Sequence, residues 1–165
     1  MHISPPNVYM PDYLVYWKGF WEDTGGDLDE VNHRWYSKND ALHKNIRPGD
    51  ILWVVVAAGA DAPGEWRILQ RIRVHGTDLV FDSSRYGPYR IIADEQRSQL
   101  FDINQQTDFA GLLRQIDFSS GKRVDAVGAL IGRSIQSARA ISPSSSPMMD
   151  RETKKLKLWR RRSPK

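Results

Sequence analysis

The sequence contains no cysteine. That excludes a disulfide scaffold, a thiol nucleophile and every zinc site built on thiolates. Long apolar runs are missing too. The longest, residues 51–60, is interrupted by Gly59 and is too short to cross a bilayer as a helix. The opening residues Met1-His2-Ile3-Ser4-Pro5-Pro6 hold no basic stretch followed by an apolar one. No signal peptide is therefore expected, and the reading is of a cytoplasmic protein, nuclear in a eukaryote. His2, His33, His43 and His75 share no ligand spacing, so no metal is assigned and no cofactor is expected. No Ser-His-Asp order, phosphate-cradling glycine loop or pair of catalytic carboxylates stands out, so no catalytic residue is assigned.

What is present is 165 residues, enough for one domain with a core of its own. Lys and Arg total 24 against 20 Asp and Glu, and they are unevenly placed. Residues 151–165 hold eight bases and one acid, a net +7, which leaves −3 for the other 150 residues. The basic character belongs to the C-terminal end, and the body is slightly acidic. A basic pI alone is thus no argument for a nucleic-acid-binding fold.

Hydrophobic patterning predicts an aromatic first strand at 12–17 and a strand buried on both faces at 51–57. Residues 65–75 alternate. Period two places Trp66, Ile68, Gln70, Ile72 and Val74 on one face and Arg67, Leu69, Arg71, Arg73 and His75 on the other. Further short strands are expected at 78–82 and 89–92. A short helix is expected at 37–44, capped by Ser37 or Asn39, followed by a turn at Pro48-Gly49-Asp50. Residues 18–30, with three glycines, five acids, Phe20 and Trp21, read as a long irregular loop. A helix capped by Thr107 is expected to bury Phe109, Leu112, Leu113 and Ile116. A second apolar stripe runs Val124, Val127, Ile131, Ile135, Ala138, with Gly128 and Gly132 allowing close packing on a sheet. Ser142 to Pro147 has the composition of a linker. The expected organisation is a domain over 1–141, then a disordered Ser/Pro linker and basic tail over 142–165. The fold class expected is α+β, a small bent β-barrel of five or six strands with flanking helices.

The ordered set Tyr13 to Trp17, Trp35-Tyr36-Ser37-Lys38-Asn39, Pro48-Gly49-Asp50, Gly64 and Ile68 to Val74 resembles the PUA-like superfamily, in its EVE and YTH-like branches. The resemblance covers about residues 12–75. Two features depart from it. Lys18-Gly19-Phe20-Trp21 stands where EVE domains open on Ser-Glu-Pro, and Val55-Val56-Ala57 replaces a polar strand end. The resemblance implies a bent barrel that binds DNA or RNA, takes a modified base flipped into an aromatic pocket, and works with a nuclease partner.

Under that resemblance Trp17, Trp21 and Trp35 are the candidate pocket, because a base freed from its stack can be held between such rings. The alternative for each is ordinary core packing, which is the reading for Trp53 and Trp66. Ser37 and Asn39 can bond a base edge or cap a helix. Arg67, Arg71 and Arg73 can track a phosphate backbone or form a solvated sheet face paired with acids. Lys154, Lys155, Lys157, Arg160, Arg161 and Arg162 can serve as a non-specific nucleic-acid arm, a membrane-surface helix or a solubilising end. The acids Glu22, Asp23, Asp27, Asp29 and Glu30 match no oxygen-ligand loop and read as solvated. The preferred function is a non-enzymatic reader of nucleic acid. An ASCH-like small hydrolase or ribonuclease and a protein-interaction module are the alternatives.

Overall fold

The computed structural model describes residues 10–81 and 85–160. His2, Arg161, Arg162 and the end of the strand expected at 78–82 lie outside the described residues. Among the described residues there are seven strands: β1 (Asp12–Tyr16), β2 (Arg34–Ser37), β3 (Ile51–Ala57), β4 (Trp66–Leu79), β5 (Tyr89–Ala93), β6 (Gln99–Leu100) and β7 (Arg139–Ile141). The helices are α1 (Phe20–Thr24), α2 (Asp40–Asn45), α3 (Ala110–Gln115), α4 (Ile131–Ser134) and α5 (Ser146–Thr153). Among the described residues no helix is long and apolar enough to cross a membrane.

The class is α+β, but the sheet is open rather than a closed barrel, and it has one strand more than the upper expectation. Its order is β2-β5-β4-β3-β1-β7, with β6 beside β4. The pairing of β1 with β3 is parallel; the other pairings are antiparallel. The long strand β4 joins two leaves. Its first half pairs with β3 and its second half with β5, and the register shifts between Val74 and Gly76 where it changes partner. The edges β2 and β7 do not meet.

The run Ile51 to Ala57 is buried on both faces, as its continuous apolar character requires. Leu52, Val54 and Val56 enter one core with Val15, Phe20, Leu28, Leu42 and Ile91. Ile51, Trp53 and Val55 enter the other with Leu14, Trp66, Leu113, Ile116, Ile131 and Met149. The turn before β3 also follows its sequence. Gly49 takes φ +94°, and the Asp50 carboxylate accepts from the Arg47 N–H at 2.9 Å.

Four expectations change. The stretch 18–30 is not a plain loop: Phe20 is fully buried within α1, and a 3-10 turn follows at Leu28–Glu30. Thr107 does not cap α3; the Asp108 carboxylate accepts from Ala110 N–H at 3.0 Å and from Trp66 N–H at 2.8 Å. The stripe from Val124 to Ala138 is not one helix, because Gly128 sits at φ +58° and only Ile131–Ser134 is α-helical. Gly132 nevertheless packs closely, as expected: an added Cβ would lie 3.1 Å from the Tyr16 ring and 3.4 Å from Trp66.

The fourth change concerns the C-terminal end. Residues 142–160 are not a linker and loose tail. The Ser-Pro composition begins α5, with Pro147 in its first turn, where a missing N–H costs nothing. Met149 is buried, and Leu156 packs on the same core. Leu158 bridges to Phe101, and Lys157 C=O accepts from Asp102 N–H at 2.8 Å. Trp159 then crosses to the other core and donates its indole N–H to Asp29 at 2.8 Å.

Between β1 and α5 lies a buried acid. Asp12 is 6 % exposed and accepts the Trp53 indole N–H at 2.9 Å. Burial holds its carboxyl above the ordinary value of 3.8; the Asp150 charge adds to this, while the Trp53 hydrogen bond and Arg71 oppose it. With the folded pKa above the unfolded one, the folded chain binds the extra proton in that window, so this group's contribution to stability falls as pH rises through it. Asp12→Asn keeps an acceptor for Trp53 and removes the charge. The variant is expected to lose that decline from about pH 4 upward and to be the more stable chain at neutral pH. Melting temperatures of both chains across pH check this. A variant less stable at neutral pH would mean that the ionised carboxylate is net favourable there.

Candidate nucleic-acid interface

The gap between the sheet's two ends holds a cavity of about 690 Å³. Its walls come from the end of β1 (Val15, Tyr16, Trp17, Lys18), from β2 and its continuation (Arg34, Trp35, Tyr36, Ser37, Lys38), and from Gln136 and Ala138 before β7. Volumes of this order suit a small molecule or a single nucleoside-sized group.

Trp17 and Trp35 both line the cavity, although 18 positions separate them in the sequence. Trp17 follows β1 directly, and its backbone N–H continues the β1–β3 ladder onto Val55 at 3.0 Å. Its ring meets buried Phe20 edge-on at 5.3 Å, and its indole N–H donates to the Asp23 carboxylate at 2.9 Å. Trp35 lies in edge strand β2, opposite Ile91 of β5, and is half-buried against the core. Trp17, just past β1, and Trp35, in β2, thus put two indole rings on the lining of one cavity, and an indole is a surface on which a base can stack.

Asp23 organises the rim. Besides Trp17 it accepts from the Tyr86 hydroxyl and from Arg85 Nη1, the latter at 2.6 Å. Arg85 also reaches Glu22 at 3.1 Å. Burial, then the bond to Asp23, hold the Tyr86 hydroxyl above its ordinary pKa, so it stays a neutral donor. Gly19 makes this closure fit, because an added Cβ would overlap the Tyr86 hydroxyl. Four cations, Lys18, Arg34, Lys38 and Arg85, line the cavity against two carboxylates, Asp23 and Glu30. This rim is therefore positive on a body that is acidic as a whole.

No family model matches this chain, and no curated protein does.

Of the residues singled out by sequence, Trp17, Trp35 and Ser37 come together in the cavity. Trp21 is not on its wall: the indole donates to Ala57 C=O at 2.9 Å, and the ring lies against Phe20 and Gly26. Ser37 reaches the wall, but its hydroxyl donates to Asn39 C=O at 2.9 Å and accepts from Asn39 N–H. Asn39 is the N-cap of α2, its side chain accepting from Ala41 N–H at 2.9 Å.

The three arginines form no row. Between Val54 and Val55 the β3–β4 register shifts, leaving Leu69 without a partner and reversing the faces beyond it. Arg67 stands opposite Val56 of one core face, whereas Arg71 and Arg73 stand opposite Trp53 and Ile51 of the other. Each is also occupied. Arg67 donates to Trp66 C=O, Arg71 pairs with Asp150 at 3.3 Å and covers the Trp53 ring, and Arg73 donates to Gly49 C=O. Arg67 and Arg71 have side chains only 15 % and 19 % exposed.

Lys154, Lys155, Lys157 and Arg160 are exposed, but on a segment pinned by Leu158 and Trp159 rather than on a free arm. Asp29, which holds Trp159, adjoins cavity residue Glu30. The acidic cluster is not simply solvated. Asp27 caps the 3-10 turn, Asp29 holds Trp159 and Asp23 holds the rim. Among the described residues no three His, Asp or Glu side chains are grouped to hold a metal ion.

Sequence reasoning missed Lys18, Arg34, Tyr36, Lys38, Arg85 and Tyr86. Lys18 and the β2 residues adjoin the tryptophans that were named, so the available signal was proximity in the chain. Arg85 and Tyr86 come from a segment with no periodicity, and only folding brings them to Asp23.

Proposed function

We propose that this chain is a non-enzymatic reader of nucleic acid, PUA-like in kind, that accepts a single unstacked base, a modified one in particular, between Trp17 and Trp35. The observation that carries the reading is the cavity itself. Trp17, just past β1, and Trp35, on β2, line one space of about 690 Å³ that Lys18, Arg34, Lys38 and Arg85 also line. Stacking then supplies an unscreened term, and the cations, with Lys154, Lys155, Lys157 and Arg160, supply a salt-sensitive one.

The test is fluorescence anisotropy with the full chain, since Leu156 and Trp159 are part of the packed body. Paired unmodified and base-modified strands of DNA and RNA are titrated at low and high salt. A preference for one modified strand that persists at high salt, while every affinity falls, is the expected result. Equal binding of all strands, lost altogether at high salt, would sink the reading.

A small hydrolase or ribonuclease is the second reading. What favours it is that Lys18, Thr24 and Glu30 line the same cavity. Thr24 is already used, its hydroxyl donating to Phe20 C=O at 2.7 Å, which leaves Lys18 and Glu30 for proton transfer. Cleavage of the same strands, abolished by Lys18→Ala, would establish that reading over the first.

A further inference from the structure

We propose that the open edge of β2 reads the base: the main-chain N–H and C=O of Tyr36 pair with the Watson–Crick edge of the base held in the cavity. The inference rests on the reader proposal and specifies its substrate as a base whose pairing edge is free, so that any modification recognised lies elsewhere on the ring.

Strand β2 has one neighbour in the sheet, β5. In an antiparallel pair alternate residues turn both main-chain groups to the neighbour, and those between turn both away. The ends of the ladder fix which are which. Ala93 N–H donates to His33 C=O at 3.2 Å. His33, Trp35 and Ser37 therefore bond to β5, at Ala93, Ile91 and Tyr89, while Arg34 and Tyr36 turn away. The far side of β5 agrees. Val80 N–H donates to Pro88 C=O at 2.8 Å, so Arg90 and Ile92 serve β4, which leaves Tyr89, Ile91 and Ala93 for β2. The main-chain groups of Arg34 and Tyr36 have no hydrogen-bond partner among the described residues.

An open edge is ordinary at the end of an open sheet. This one borders the proposed base site. Arg34 to Lys38, which are β2 and the residue after it, all line the cavity. Successive side chains of a strand point to opposite faces, so a cavity lined by five consecutive residues runs along the strand's edge and not over one face. Tyr36 is the middle residue of that run. A main-chain N–H and C=O side by side form a donor–acceptor pair, and every base carries an adjacent donor and acceptor on its Watson–Crick edge. The strand is also held in place, by its pairing with β5 and by Gly87 against the backbone of Ser37 and Lys38, so little ordering is left for binding to pay. An extended peptide is the other partner that a strand edge takes. The indoles of Trp17 and Trp35 on the same lining favour a flat ring over a peptide. Because every base offers the same pattern, the edge tests whether a base is free to pair, and the rest of the cavity distinguishes one base from another.

The full-length protein is titrated by fluorescence anisotropy with single strands that differ at one central base. Each base is offered unblocked and with its pairing-edge donor removed: dimethylated at the exocyclic amine of adenine or cytosine, methylated at the ring N–H of guanine or thymine. All of these bases are neutral, so the attraction of the phosphates is the same throughout. Blocking is expected to weaken the tightest-bound strand by about tenfold, the worth of a lost neutral hydrogen bond. Tyr36→Pro removes one outward N–H, which an edge strand tolerates, and is compared with Tyr36→Ala, which keeps it. Both lack the hydroxyl that meets Arg90, so the difference between them reports the N–H. The proline chain is expected to melt like the alanine chain, to bind the unblocked strand about tenfold more weakly and to bind the blocked strand equally. A parent chain that binds a strand and its blocked form alike overturns the edge reading while the stacking site stands. Equal binding of the unblocked strand by the proline and alanine chains overturns it in the same way. So does a proline chain that fails to fold, since that N–H would then belong to the ladder. A parent chain that binds no strand overturns both proposals.

Discussion

Gly87→Ala is expected to open one side of the cavity and to cost about 2–5 kcal/mol of stability. Gly87 sits at φ +112°, a conformation that side-chain-bearing residues rarely adopt. It is also buried against backbone. A Cβ there would overlap Ser37 C=O and stand 2.6 Å from Lys38 Cα and N. A flexible side chain could yield, but edge strand β2 cannot yield without loosening its pairing with β5. The segment bearing Arg85 and Tyr86 must therefore move off β2, and Asp23 loses two of its donors. For a chain of this length the melting temperature should fall by roughly 5–15 °C. The variant should also lose selectivity between modified and unmodified strands, because one wall of the cavity has moved. Calorimetry gives the first quantity and anisotropy the second. Unchanged melting would show that the segment 85–87 is not seated on β2 as described. Gly19→Ala makes a milder comparison, since the atom it meets is the tip of a tyrosine side chain.

Trp35→Ala is expected to reduce affinity for the preferred strand by about fivefold to 150-fold, the worth of one stacked base at roughly 1–3 kcal/mol. The loss should be nearly the same at low and high salt, because dispersion and stacking are not screened by ions. Trp35→Phe should recover part of it, since the ring is smaller but still stacks. Trp21→Ala is the informative contrast. It deletes a hydrogen bond to Ala57 and a packing contact with Gly26, so it should lower stability while leaving strand preference intact. Should Trp21→Ala abolish the preference and Trp35→Ala spare it, the base does not enter this cavity. Circular dichroism on each variant separates unfolding from loss of the site.

The parts of the fold that were legible share a physical feature. The burial of β3 follows from seven consecutive residues that are apolar or small. The start of α2 follows from Asn39, whose side chain reaches an amide two residues on. The turn before β3 follows from Pro48, Gly49 and the carboxylate of Asp50. In each case the deciding interaction lies within about one helical turn or one strand of the residue that signals it. The strong alternation at 65–75 marks a strand but not a single unbroken face. Leu69 has no partner on β3, and one extra residue reverses every side chain beyond it. Nothing in an alternating sequence marks such a bulge, because the partner strand decides where it falls.

The C-terminal residues show the same limit from the other side. Their composition matches a solvated linker and arm, yet Met149, Leu156 and Trp159 supply enough apolar surface to seat the segment across both cores. The sequence alone determined the class of fold, the central buried strand, the cap of α2, the turn before β3, and which tryptophans were candidates for a stacking site. Only the tertiary structure decided that Trp17 and Trp35 share a cavity while Trp21 does not, that the arginines point to opposite faces, and that Arg85 and Tyr86 complete the rim. The reason is range: caps and periodicity are written in neighbouring residues, whereas a cavity left in an open sheet depends on the register and seating of strands far apart in the chain.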